Sequence, residues 1–214
     1  MIISQDVRGL LEILYFISGP LLVIVSGFGL YNLKIAKDDL MVRCKREAAS
    51  LAAAQCLRFS NEIIPLINAF DKELKNNVFL EYKGIVRKFH FDAVKSDLDS
   101  TTIAKAVDFI RTSENLANTL NALESFAVYF TEGVADEAIA FSSVGSTFCF
   151  TVKRYYVILC FLRNKPGSNH YEDLVKLYEI WSSRMKRHDL ENRAKQIEVE
   201  LTSLKPGQIK PIGS

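Results

Sequence analysis

The chain has 214 residues, 49% of them hydrophobic, and 27 basic against 25 acidic side chains give a net charge of +2. That balance excludes a protein that coats nucleic acid through bulk positive charge. Three histidines and four scattered cysteines leave little material for a metal centre, and none is expected; nor is any cofactor.

Residues 1–12 form a short N-terminal segment, expected outside the cytoplasm. Ile13–Leu33 (ILYFISGPLLVIVSGFGLYNL) follows with no charged residue. A helix of that length crosses a bilayer. It is too long for a signal-peptide core, lacks a basic leader and is not followed by a small-x-small cleavage site. One basic residue, Arg8, precedes it, while Lys34, Lys37, Arg43, Lys45 and Arg46 follow. The positive-inside rule then places the C-terminal part in the cytoplasm. At about 100° per residue, Ser18, Gly29 and Asn32 share one side of the span, with Ser26 near its edge. Small and weakly polar residues on one face predict self-association around a wet axis.

Residues 34–58 are rich in helix formers and continue the span without a breaker, predicting one helix from Ile13 to about Leu57, roughly 65 Å long. Residues 59–204 are expected to form one helical domain. Pro65 should kink or divide the chain, with a further helix over Asn61–Leu74. Asn76–Asp99 reads as a short helix plus loop. A long helix is expected from an N-cap at Ser100, with Ile103, Val107 and Ile110 on one stripe and Leu116, Leu120, Leu123, Ala127 and Phe130 on the next. Gly133 should cap its C-terminus. Asp136–Leu162 is apolar but interrupted by Lys153 and Arg154, which predicts a buried helix of a soluble domain rather than a second span. Tyr171, Leu174, Val175, Tyr178, Trp181 and Met185 mark an amphipathic helix. Asp189–Leu204 carries a narrow stripe of Leu190, Ile197, Leu201 and Leu204, of a kind that packs on a neighbouring subunit or on the same domain. Residues 205–214 read as a disordered tail.

No phosphate-binding loop, dinucleotide fingerprint, zinc-protease or serine-hydrolase signature is present. The sharpest constellation is Arg163-Asn164-Lys165-Pro166-Gly167-Ser168-Asn169-His170, lying between an apolar helix and the next. The arginine could hold a phosphate and the histidine could move a proton near neutral pH. The plain alternative is an arginine answering the free carbonyls of a helix end, followed by a Lys-Pro-Gly turn. Arg184–His188 repeats the residue types in a basic helix end and reads as a solvated face. Glu124 with Asp136-Glu137 offers carboxylates for acid–base work, but Asp136-Glu137 also reads as a helix start and Glu124 as part of a helix face.

The Arg163, Asn164 and His170 set resembles the Arg…His motif of HEPN domains, which are all-α and often act as ribonucleases. Pro166-Gly167 inside the motif departs from that family's helical continuation. The stretch LNALESFAVYFTEGVADEAIA, with Leu120, Asn121, Glu124, Gly133 and Asp136-Glu137, resembles an uncharacterised bacterial family with one N-terminal span and a helical domain. The layout is also similar to the membrane accessory proteins of type VI CRISPR systems. That resemblance implies a HEPN-like bundle in the bacterial inner membrane, a homo-oligomeric pore, a cytoplasmic defence effector as partner and a part in antiviral defence. A membrane scaffold and a membrane-anchored ribonuclease acting on RNA are the alternatives.

Overall fold

The computed structural model describes residues 5–75, 86, 88–164 and 169–203, and among these every regular element is a helix. The chain forms two compact units, 1–48 and 49–214. The first is the N-terminal part of α1 (Gln5–Arg58), a helix that continues through Pro20. Its apolar side chains from Leu11 to Leu33 are exposed, Val23 to 70%. By length and composition this helix can cross a membrane. Farther along, Asp39 and Arg43 form an exposed i,i+4 ion pair at 2.7 Å.

The second unit starts with the last turns of α1, where Ala52 and Cys56 enter the core. The expected disturbance at Pro65 takes the form of a π-helical turn, Phe59–Ile63, before α2 (Ile64–Lys75). Proline cannot donate, and its ring crowds the carbonyl four residues earlier, at Asn61. The wider turn relieves that crowding, with the Ile64 amide donating to the Phe59 carbonyl. Residues 76–85 and 87 lie outside the described part, so the expected short helix is seen only as α3 (Asp92–Lys95).

The long helix expected from Ser100 is two helices, α4 (Ser100–Thr112) and α5 (Leu116–Thr131). The cap of α4 is Asp99, whose carboxylate accepts from the Thr102 amide at 3.1 Å, rather than Ser100. The break is built from polar side chains. Ser113 and Asn115 both donate to the Glu73 carboxylate, and the Ser113 hydroxyl accepts from the Leu116 amide at 3.2 Å. A side chain that ties down the next amides competes with helix continuation. Gly133 has φ of 67°, and the Gly133 and Val134 amides donate to the Phe130 and Tyr129 carbonyls. That pair of bonds is the Schellman closure, and it needs a left-handed residue at Gly133.

Asp136 caps α6 (Glu137–Arg154) through the Ala138 and Ile139 amides, as its sequence context predicts. The apolar stretch then divides at Tyr155, and α7 (Tyr156–Leu162) runs through the core with Tyr156 to Cys160 all buried. The two amphipathic segments after it are one helix, α8 (Glu172–Ser203). Its first turns pack on α5 and α6. Trp181 is fully buried there among Phe126, Phe130, Phe141 and Phe148, with ring centroids 5.1 to 6.3 Å away. Its indole N–H donates to Glu137. Cys56, Cys149 and Cys160 are buried thiols, whereas Cys44 is exposed.

Candidate functional site

The candidate site is the junction between α7 and α8. The apolar run of α7 ends where the Arg163 and Asn164 amides turn back to the Leu159 and Phe161 carbonyls. Residues 165–168, which hold the expected Lys-Pro-Gly turn, lie outside the described part. Arg163 is half-buried, and its guanidinium serves main-chain acceptors. Nε donates to the Phe89 carbonyl at 3.1 Å and Nη1 to the His170 carbonyl at 2.6 Å. Phe89 is itself anchored edge-on between Tyr156 and Tyr178. Arg163 therefore fastens both the Phe89 segment and the entry to α8. The motif residues meet, but through the carbonyl of His170 and not its imidazole. The His170 ring is exposed, 6.4 Å from the Tyr171 ring, and Asn164 is exposed.

Tyr171 follows with φ of 57°, a left-handed conformation that costs a non-glycine residue about 1 kcal/mol. It stands where helices place Ser, Thr, Asp or Asn, and its side chain offers no acceptor to the first turn. Glu124 of α5 takes that part. Its carboxylate accepts from the Asp173 amide at 3.3 Å and the Leu174 amide at 2.7 Å, the two donors a local cap would serve. The negative charge also complements the helix dipole. Beside it, Asp173 accepts from the Thr131 hydroxyl at 2.6 Å. Burial raises the Glu124 carboxyl above its ordinary range; the two amide donors and the Arg163 charge pull the other way, and the Asp173 charge adds to the rise. Tyr171 is likewise raised, first by burial and then by the Glu124 charge. The Cys160 thiol is pushed up to about 12 by burial, which keeps it protonated at neutral pH.

The other carboxylates go to separate places. Asp136 is the α6 cap, and Glu137 accepts from Trp181 and, at 2.8 Å, from Arg184. The Arg184 guanidinium also lies 4.7 Å over the Phe141 ring, and His188 pairs with Asn192 on an exposed face. Among the described residues no group of three or more His, Cys, Asp or Glu could hold a metal ion. In the first unit the Ser18 hydroxyl donates to the Tyr15 carbonyl at 2.9 Å, while Ser26, Gly29 and Asn32 are exposed.

Most residues of the Leu-Asn-x-x-Glu pattern thus have folding work: Leu120 in the core, Glu124 on α8, Gly133 in the Schellman turn, Asp136 as a cap and Glu137 on Trp181. The model of one family, the domain of unknown function DUF4760, matches residues 49–181. The chain belongs to the DUF4760 family. The DUF4760 match opens with the second unit and closes at the buried tryptophan, so the apolar stretch of α1 and the last turns of α8 lie outside it. No curated protein and no solved structure matches the chain.

Proposed function

We propose that this protein is a single-pass effector of the bacterial inner membrane. Its N-terminus lies outside and its DUF4760 domain in the cytoplasm. Copies associate and permeabilise the bilayer when a cytoplasmic partner triggers them. The observation that carries the reading is Ile13–Leu33, uncharged and exposed along its length. Exposed apolar surface of that extent is unstable in water and requires lipid or protein around it. The basic residues Lys34, Lys37, Arg43, Lys45 and Arg46 support the orientation. The face of Ser18, Ser26, Gly29 and Asn32 supports association, although the Ser18 hydroxyl is already satisfied within its own helix. The similarity to type VI CRISPR accessory proteins and their HEPN-like bundles adds antiviral defence as the setting and an RNA-targeting effector as the partner.

A ribonuclease reading is less well supported. Two of the guanidinium's donors already hold main-chain carbonyls, which is a structural part for Arg163 rather than a phosphate contact. The test is the mass of the full chain in detergent, corrected for bound detergent, followed by dye release from liposomes. A defined multi-subunit mass with release is the expected result. A monomer that leaves liposomes tight overturns the proposal.

A further inference from the structure

Beyond Met185, which packs on the core, α8 continues from Lys186 to Ser203 with every residue exposed. This stretch carries four basic and four acidic side chains, so it is neutral and amounts to neither a membrane-binding nor a nucleic-acid-binding helix. Four of its five apolar residues, Leu190, Ala194, Ile197 and Leu201, are spaced four, three and four apart, while the fifth, Val199, is exposed on the opposite side of the helix. The four fall within an arc of about 60°, the width of a coiled-coil seam rather than of a face that packs on a globular core. In sequence Leu204 continues the spacing.

The charges beside the seam state what covers it. In a parallel, in-register pair, each residue on one flank faces the partner residue five positions later on the other flank. Lys186 then meets Glu191 of the second copy, and Arg193 meets Glu198 of the second copy. In sequence Glu200 and Lys205 repeat the match with the signs reversed. All three are opposite charges. The antiparallel pairing that best overlaps the apolar residues keeps Arg193 opposite Glu200 but sets Glu191 against Glu198, like charge against like.

We infer that Lys186–Ser203 of α8 is a dimerisation helix that pairs with the same helix of a second copy, parallel and in register. Leu190, Ala194, Ile197 and Leu201 form the seam, and Lys186–Glu191 and Arg193–Glu198 set the direction. The inference deepens the self-association in the proposed function and rests on it. The seam from Leu190 to Leu201 spans fewer than two heptads, short for a free peptide, so holding copies in one membrane raises the effective concentration that it needs.

The test uses the full chain in detergent and in liposomes, with exposed Cys44 changed to Ser. Leu190→Cys and Leu201→Cys are made separately and oxidised mildly, with Gln196→Cys on the outward face as reference. A parallel in-register pair crosslinks at both seam positions and much more slowly at 196. An antiparallel pair brings at most one position opposite itself. Crosslinking at only one seam position, at neither, or as fast at 196 overturns the inference. In the Leu190→Cys background, Arg193→Glu should lower the yield about three- to tenfold, from the loss and reversal of two pairs. Adding Glu198→Arg should restore it, and failure to restore overturns the assigned direction. Dye release is read separately. Tight liposomes with both positions crosslinked count against the membrane reading alone, and release without seam crosslinking counts against the pairing alone.

Discussion

In α1 the residues Ile13–Leu33 are exposed and carry no charge; in α8 the residues Lys186–Ser203 are exposed and carry eight. Both helices also have a buried face, with Ala52 and Cys56 in α1 and Leu174, Leu177 and Trp181 in α8. Both exposed stretches are helical throughout, so helix content does not separate them. What separates them is the medium each exposed stretch can tolerate. An uncharged, largely apolar surface needs lipid or protein around it, and in lipid the helix satisfies its own backbone and side-chain charge is excluded. A narrow apolar seam between charges tolerates water and loses its last exposed carbons only to a similar seam.

The largest effect should come from the buried face of α8. Trp181→Ala removes the ring that Phe126, Phe130, Phe141 and Phe148 enclose, at a cost of about 3–5 kcal/mol. Thermal unfolding in detergent should show this as a large fall in the midpoint. A small shift would mean that α8 is held by something other than its aromatic packing.

Next comes a charge in the middle of the apolar stretch of α1. Val23 is 70% exposed, and in water Val23→Arg would be nearly silent. At the centre of a bilayer it costs about 2.5–3.5 kcal/mol of insertion. The variant should shift from the integral to the extractable fraction on alkaline carbonate washing. Gln196→Arg, on the outward face of α8, should change neither fractionation nor stability. Equal behaviour of the two variants would erase the distinction between the helices.

Smaller effects separate the two ends of the Arg163–His170 motif. Arg163→Ala leaves the Phe89 and His170 carbonyls without their donor and should cost about 1–3 kcal/mol. His170→Ala keeps the carbonyl that Arg163 uses and should stay within about 0.5 kcal/mol. Unfolding midpoints decide this, with RNA cleavage as a second reading. Lost cleavage in a well-folded His170→Ala protein would return the motif to catalysis.

Much of the fold was legible because its signals are local. The uncharged run of α1, the glycine of the Schellman turn and the Asp136 cap each act within a few residues of themselves. The break between α4 and α5 was not, because Ser113 and Asn115 end a helix there by reaching Glu73, some 40 positions away. The motif was readable as a set of residue types, and Arg163 at a helix end was one of the two readings open. Which carbonyls it holds depends on Phe89, 74 positions earlier. Glu124 was the hardest. A glutamate on a helix face says nothing of a helix 50 residues on, although the lack of any Ser, Thr, Asp or Asn at Tyr171 was a visible vacancy for a cap.

That missing cap gives a small effect that depends on pH. Glu124→Gln keeps the shape but replaces one accepting oxygen with a donor, so one of the Asp173 and Leu174 amides loses its partner. The cost should be about 1 kcal/mol. The ionised carboxylate is not uniformly better, because burial raises its folded value above the unfolded one, about 4.3. The folded state therefore binds the Glu124 proton more tightly than the unfolded chain. That contribution is full below the unfolded value and is lost as pH rises through it to the raised folded value. The stability advantage of the natural protein over Glu124→Gln should thus shrink across that window and level off above it. Unfolding midpoints of both proteins from pH 4 to 7 measure the difference, with the titrations of groups remote from Glu124 cancelling. An advantage that grows with pH would mean that the two amides and Arg163 outweigh burial, and that the α8 cap works chiefly through its charge.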